Sequence, residues 1–232
     1  MPLPTVILPG YLASDLPYQE MEKALEAQGF PAVTVPLRRH DWLPTVGGRS
    51  VSGIIKVLDA TAQEAMSKYN CNSINLVGHS AGGWIARIYI GEQDYNIHSS
   101  DLRRIAPRPA RSHVKTLLTL GTPHTSQERW TRKNLDFVNQ TYPGAFYDDI
   151  NYVCIAGRAI DGAEGGWFTF NSYKLTGGDG AVWGDGIVPI SVAQLGGARN
   201  VTLPDVYHSP RPGRLWYGSE IVVKDWSRWL AQ

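Results

Sequence analysis

Cysteine is nearly absent from this sequence: Cys71 and Cys154 are the only two in 232 residues. They stand far apart, and neither belongs to a Cys-x-x-Cys pair or a Cys/His cluster. That leaves no zinc-type ligand set and no disulfide framework, so two reduced thiols are expected, with no metal and no cofactor. Charge of one sign is also lacking. Lys plus Arg is 22 against 21 for Asp plus Glu, a net charge of +1, and such balance argues against a nucleic-acid partner. Long apolar runs are missing too, and none approaches the roughly 20 residues that span a bilayer. The N-terminus, Met1-Pro-Leu-Pro-Thr-Val-Ile-Leu-Pro-Gly10, has neither the basic start nor the long apolar core of a secretory signal. The expected location is therefore intracellular, in the cytoplasm. There is no internal repeat and no low-complexity tract.

What is present is a foldable chain. Apolar residues make up 43% and charged residues 19%, which excludes a disordered segment. The length fits one domain. With 24 glycines, 15 prolines and 8 tryptophans, it is rich in loops and aromatic surface.

Short continuous apolar runs predict strands at 5–8, 31–35, 73–77, 114–120, 151–155 and 200–203. Helical spacing of apolar residues predicts helices at about 15–28, 51–69, 83–90 and 219–230. Residues 38–50 read as a polar, Gly-rich loop. Strand and helix alternate, and the strands do not alternate polar with apolar. Both features predict an α/β fold, a mostly parallel sheet of about six strands with helices on both faces. Two stretches break the alternation. Residues 95–113 hold His98, Arg103, Arg104, Arg108, Arg111 and His113 against a single Asp101, and residues 125–149 hold Trp130, Phe137, Tyr142, Phe146 and Tyr147. Segments this long without structure are usually functional or disordered.

The segment with chemical content is Ile74-Asn-Leu-Val-Gly78-His79-Ser80-Ala81-Gly82-Gly83-Trp84. It has the form Gly-x-Ser-x-Gly between a buried strand and a helix. A serine on so sharp a turn needs glycines two before and two after it, so that strand and helix can approach. The turn lifts the hydroxyl above the sheet at the electropositive start of a helix. Ser80 is thus a candidate nucleophile.

A serine nucleophile needs a base. Of His40, His79, His98, His113, His124 and His208, only His208 lies late in the chain, after the last strand, where the order nucleophile, acid, base would put it. The acid candidates are Asp149, Asp161, Asp179, Asp185 and Asp205. Asp185, in Gly184-Asp-Gly-Ile-Val-Pro189, suits a carboxylate on a tight turn; Asp179, also between glycines, comes second. An oxyanion hole needs two converging backbone N–H groups, and Ala81, after the nucleophile, and Tyr11, in the loop after the first strand, are the candidates.

At these residues the sequence resembles the α/β-hydrolase superfamily, in its lipase-like branch. The likeness rests on Leu8-Pro-Gly-Tyr11, Gly78-His-Ser-Ala-Gly82, Leu120-Gly-Thr-Pro-His124, and Gly184-Asp-Gly-Ile-Val-Pro189 with His208. The Leu-Gly-Thr-Pro-His segment is similar to one in bacterial triacylglycerol lipases and GPI-inositol deacylase-like proteins. The oxyanion loop departs from those lipases, with Pro9-Gly10 where they usually have His-Gly. The resemblance implies a Ser80–Asp185–His208 triad that hydrolyses acyl esters, lipid esters foremost, through an acyl-enzyme without a cofactor. A thioesterase, amidase or acyltransferase on the same triad is the alternative, and a hydrolase-fold binding protein that turns nothing over is the alternative of another class. Leu12, His79, His124 and Trp167 are candidates for substrate contact, with His79 and His124 equally readable as packing beside the site. Phe168 joins Trp167 as a candidate for the mouth. Because the sequence opens on the strand that leads to the oxyanion loop, a single reduced domain is expected over 1–232. Any lid would come from residues 95–113 and 125–149. The arginines of the first insertion would then face anionic headgroups or a membrane surface.

Overall fold

A computed structural model describes residues 2–98 and 110–231, the side chains of residues 129–131 excepted. Arg103, Arg104, Arg108 and Asp101 of the basic stretch lie outside the described residues, as does the side chain of Trp130.

The chain runs β1 (Thr5–Leu8), a 3-10 turn at Leu16–Tyr18, α1 (Gln19–Ala27), β2 (Ala32–Thr34), a longer 3-10 stretch at Arg39–Thr45, α2 (Ser52–Lys68), β3 (Ile74–His79) and α3 (Ala81–Tyr89). It continues with the single turn α4 (Ala110–His113), β4 (Val114–Leu120), α5 (Arg129–Thr141), β5 (Asn151–Arg158), β6 (Ile160–Asp161) and α6 (Gly166–Gly177). It closes with β7 (Trp183–Gly184), β8 (Arg199–Pro204), β9 (Val206–Tyr207), β10 (Leu215–Trp216) and α7 (Glu220–Ser227). Six strands form one sheet in the order β2-β1-β3-β4-β5-β8, and every neighbouring pair in it is parallel. This is the sheet that the apolar runs predicted.

A parallel sheet must be covered on both faces, and successive side chains of each strand serve the two covers in turn. Val6 and Leu8 of β1 pack with α2 and α3, whereas Ile7 between them packs with α1 and α7. Tyr152 and Cys154 of β5 face the first layer, Val153 and Ile155 the second. Between β3 and β4 the register slips at Ile74/Asn75. The slip leaves Lys115 unmatched and exposed, and it lets Val114 and Leu117 share one face. Cys71 and Cys154 are both free thiols. Among the described residues no helix is long and apolar enough to cross a membrane.

Three segments to which the sequence assigned no helix prove to be helical. Residues 39–45 form 3-10 turns that bury Trp42. Residues 129–141 form α5, which buries Leu135 and Val138 against the layer that contains α3. Its many polar residues and the absence of a side-chain cap leave little local signal. Residues 166–177 form α6, which begins and ends on glycine, turns Tyr173 inward and leaves Trp167, Phe168 and Leu175 exposed. With aromatics on its outer side as well, α6 lacks the apolar stripe that marks an amphipathic helix.

Candidate active site

The carboxyl ends of β1, β3, β4 and β5 bring four loops together, the usual position for a site in an open α/β sheet. Ser80 stands where β3 meets α3, with φ 52° and ψ −124°. A non-glycine residue held so far from the allowed regions costs of order 1–3 kcal/mol, and the surroundings must enforce it. Here close backbone contact does so. A Cβ on Gly78 would sit 2.5 Å from the Gly83 Cα, and one on Gly82 would run into the Leu8 carbonyl oxygen. Strand, turn and helix therefore touch through glycine, and Ser80 is fixed above them.

His208, in the loop between β9 and β10, places Nε2 3.0 Å from Ser80 Oγ. Its Nδ1 lies 2.8 Å from Asp185 Oδ2. A carboxylate only accepts, so Nδ1 carries the hydrogen and Nε2 turns its lone pair toward the serine hydroxyl. Asp185 is buried and held from every side. Oδ1 accepts the backbone N–H groups of Ile187 (3.0 Å) and Val188 (2.7 Å), and Oδ2 also accepts the Tyr217 hydroxyl at 2.8 Å. Burial alone would raise the Asp185 carboxyl. The nearby His208 charge and hydrogen bond, then the Val188 and Ile187 N–H groups, hold it below the usual carboxylate value. Tyr217 Oη in turn accepts the Gly157 N–H at 2.8 Å, and burial with the adjacent Asp185 charge pushes its own ionisation well up.

The backbone N–H groups of Tyr11 and Ala81 have no protein acceptor among the described residues, and both residues line the cavity that contains Ser80. That cavity holds about 550 Å³ and is walled mainly by apolar groups: Tyr11, Trp42, Val46, Val51, Trp84 and Pro123 beside Ser80. Glu128 and Asn134 supply polar atoms at its wall. Asn134 Oδ1 accepts from Tyr95 Oη (2.7 Å) and His98 Nε2 (2.8 Å), and Nδ2 donates one hydrogen to the Arg49 carbonyl. A second cavity of about 450 Å³ opens on the other side of Ser80 and His208, between Ser14, Pro17, Arg39, Ile187, Ser209 and Trp216.

The remaining sequence candidates are placed as follows. His79 is buried beneath Ser80 and borders the second cavity. Leu12, with φ 57°, sits in the loop after β1 and is exposed, and it is not among the residues that line either cavity. His124 is buried away from both, near Arg87 Nη1 at 3.5 Å, while the adjacent Pro123 lines the first cavity. Burial, then the Arg87 charge, hold His124 neutral, well below its ordinary value. Trp167 is 81% exposed on α6 and lines neither cavity. Asp179 is spent on a local turn, accepting the Ala181 N–H at 2.9 Å. Sequence reasoning missed Tyr217 at the acid, Tyr18 beneath the serine, and Arg87. Arg87 is a buried cation that donates to Asn139 Oδ1 (2.9 Å) and the Tyr142 carbonyl (2.7 Å), which ties α3 to α5. No motif or spacing marks any of the three.

A family model described as the PGAP1-like alpha/beta domain matches residues 45–153, a span that includes the serine turn. Comparison with curated protein sequences gave no match. Solved structures align over nearly the whole chain. The mature lipase BlEst2 of Bacillus licheniformis is 19% identical with a TM-score of 0.62, covering 98% of this chain and 89% of its own. The fold is that of an α/β hydrolase. The phospholipase PlaB of Legionella pneumophila (14% identical, TM-score 0.57, 98% of this chain and 63% of its own) has it too. So does a monoacylglycerol lipase of Paleococcus ferrophilus (12% identical, TM-score 0.53, 99% and 95%). On this fold the serine turn, the Asp185 turn and the His208 loop meet at the carboxyl edge of the sheet.

Proposed function

We propose that this protein is a serine ester hydrolase of the lipase and esterase kind, with Ser80 as nucleophile, His208 as general base and Asp185 as the carboxylate that orients it. The observation that carries the reading is the His208 ring, 3.0 Å from Ser80 Oγ on one nitrogen and 2.8 Å from Asp185 on the other. Ser80 Oγ attacks the ester carbonyl carbon while its proton passes to His208 Nε2. The carbonyl oxygen becomes an oxyanion held by the N–H groups of Tyr11 and Ala81, an interaction worth about 2.7–4 kcal/mol per donor in such sites. The C–O bond to the alcohol breaks, and His208 returns the proton to the departing oxygen. Water, deprotonated by the same nitrogen, then releases the acid. Asp185 stays ionised throughout and stabilises the imidazolium.

The two cavities divide the substrate. The apolar one, between Trp42 and Trp84, takes the acyl chain, and the more polar one, toward Arg39, takes the alcohol. Glu128 and Asn134 put the segment 125–149 at the wall of the acyl cavity, so it serves as cover there. Exposed Val46 at the wall of the apolar cavity, with exposed Leu12, Leu16 and Leu43 each next in sequence to a residue that lines a cavity, suits a lipid ester presented at a surface. Turnover of p-nitrophenyl esters from acetyl to palmitoyl tests this. Medium and long acyl chains are expected to give the higher kcat/KM, with a burst equal to the enzyme. Hydrolysis confined to thioesters or amides would instead move the chemistry to the other acyl-transfer classes.

A further inference from the structure

Two groups beneath Ser80 take no part in these steps. Gly10, in the loop that carries Tyr11, donates its N–H to Tyr18 Oη at 2.8 Å. Tyr18 Oη lies 2.7 Å from His79 Nδ1. His79 Nε2 lies 2.9 Å from the backbone carbonyl oxygen of His208. The directions follow by elimination. A carbonyl only accepts, so Nε2 carries the hydrogen of the neutral ring and Nδ1 is bare. The Tyr18 O–H must then donate to Nδ1, and its lone pairs are left for Gly10. One unbroken chain of donors and acceptors runs from the oxyanion loop, under the nucleophile, to the backbone of the base.

The surroundings leave this chain little freedom. Tyr18 and His79 are 2% and 4% exposed, and the Trp216 ring meets both edge-on, at 5.7 and 5.9 Å. Residues 9–15 belong to no strand or helix. The Ala13 N–H closes a turn on the Gly10 carbonyl at 3.1 Å, so fixing Gly10 fixes the turn that presents Tyr11. The loop also passes tightly over the site: a Cβ on Gly10 would stand 3.0 Å from Ser80 Cβ and 3.1 Å from His79 Nδ1. The charge state fits as well. Burial, then the His208 charge, lower His79 to about 3, against the opposing pull of Asp185 and the His208 carbonyl. His79 thus keeps a bare Nδ1 while its neighbour becomes an imidazolium.

We infer that Tyr18 and His79 are positioning residues for acyl transfer, a side-chain strut that sets the Tyr11 N–H and the His208 imidazole at matched distances from Ser80. The inference rests on the reading of Ser80 as nucleophile. Its effect belongs to the transition state, because the oxyanion N–H binds charge that the bound ester does not yet carry.

The test is Tyr18→Phe, with rates normalised to active sites titrated by a fluorophosphonate. On a soluble p-nitrophenyl ester, kcat is expected to fall about 10- to 100-fold, the loss typical of sub-ångström misplacement, with KM changed less than about twofold. The inhibition constant of an alkyl boronic acid, which forms a tetrahedral adduct on serine, should rise by the same factor. The 15N resonance of His79 Nδ1 should shift as its donor is lost. His79→Phe breaks both ends and should lose at least as much. If it fails to fold, Tyr18→Phe still decides. Unchanged kcat and boronate affinity per titrated site, with only a lower Tm, would overturn the strut and leave the Ser80 reading standing. A wild-type protein with neither ester turnover nor labelling of Ser80 would overturn both.

Discussion

Asp185 receives four hydrogen bonds and His208 holds a partner on each ring nitrogen, whereas across Ser80 the rings of Tyr11, Trp42 and Trp84 and the side chains of Val46 and Val51 surround open space. The first wall is made of buried polar groups, each satisfied by a specific donor or acceptor, so it admits one geometry. The second is made of apolar surface that discriminates by size, at about 1–3 kcal/mol per methylene. On the proposed reading, chemistry and substrate choice belong to different walls of one site. Substitutions on the first should cost turnover for all substrates alike, and substitutions on the second should re-rank them.

The largest effect is expected at the acid. Asp185→Asn keeps the shape but offers the wrong partner to His208 Nδ1, and kcat should fall by roughly 10⁴-fold on every ester. A loss that depended on acyl length would break the division. Next comes Tyr217→Phe, which strips one donor from Asp185 and leaves the buried Gly157 N–H without an acceptor. Urea unfolding should report a loss of about 2 kcal/mol. On the other wall, Val46→Trp should fill the mouth of the apolar cavity. It should lower kcat/KM for palmitoyl esters about tenfold against acetyl esters, whose rate should hold within a factor of about two.

The last prediction concerns acid stability and sharpens the account of the buried polar groups. His79, lowered to about 3, and His124, also held low by burial, are neutral in the folded protein, whereas both take up protons near 6.5 when unfolded. The unfolded state therefore binds more protons once pH falls below about 6.5. Stability is complete above that value and declines as pH drops toward 3, by up to about 1.4 kcal/mol per pH unit for each histidine. Urea melts at pH 7 and pH 4 should show a smaller loss of stability on acidification in His124→Gln than in the wild type. An equal loss would mean that His124 is not held neutral.

Much of this was legible in the sequence because it is local. Each sheet strand is a continuous apolar run, and the serine turn needs glycines at fixed spacing. The Asp185 turn and the late His208 follow from chain order. What was not legible depends on distance along the chain. Tyr18 meets His79 across 61 residues and Tyr217 meets Asp185 across 32, and no periodicity records such pairs. Helix α6 was hidden because its exposed aromatics mask the inward face of Tyr173. Segment 125–149 was hidden because α5 stands among polar residues and buries only part of one side. The tryptophans, conspicuous in composition, divide by place: Trp42 and Trp84 wall the apolar cavity, Trp216 backs His79, and Trp226 is fully buried behind the sheet.

The central claim is that Ser80 is the nucleophile, and mass spectrometry after treatment with a fluorophosphonate tests it most directly. The account predicts one adduct per chain, located on Ser80, formed in step with the loss of ester hydrolysis and absent from both Ser80→Ala and denatured protein. Labelling or hydrolysis that persisted in folded Ser80→Ala would contradict it.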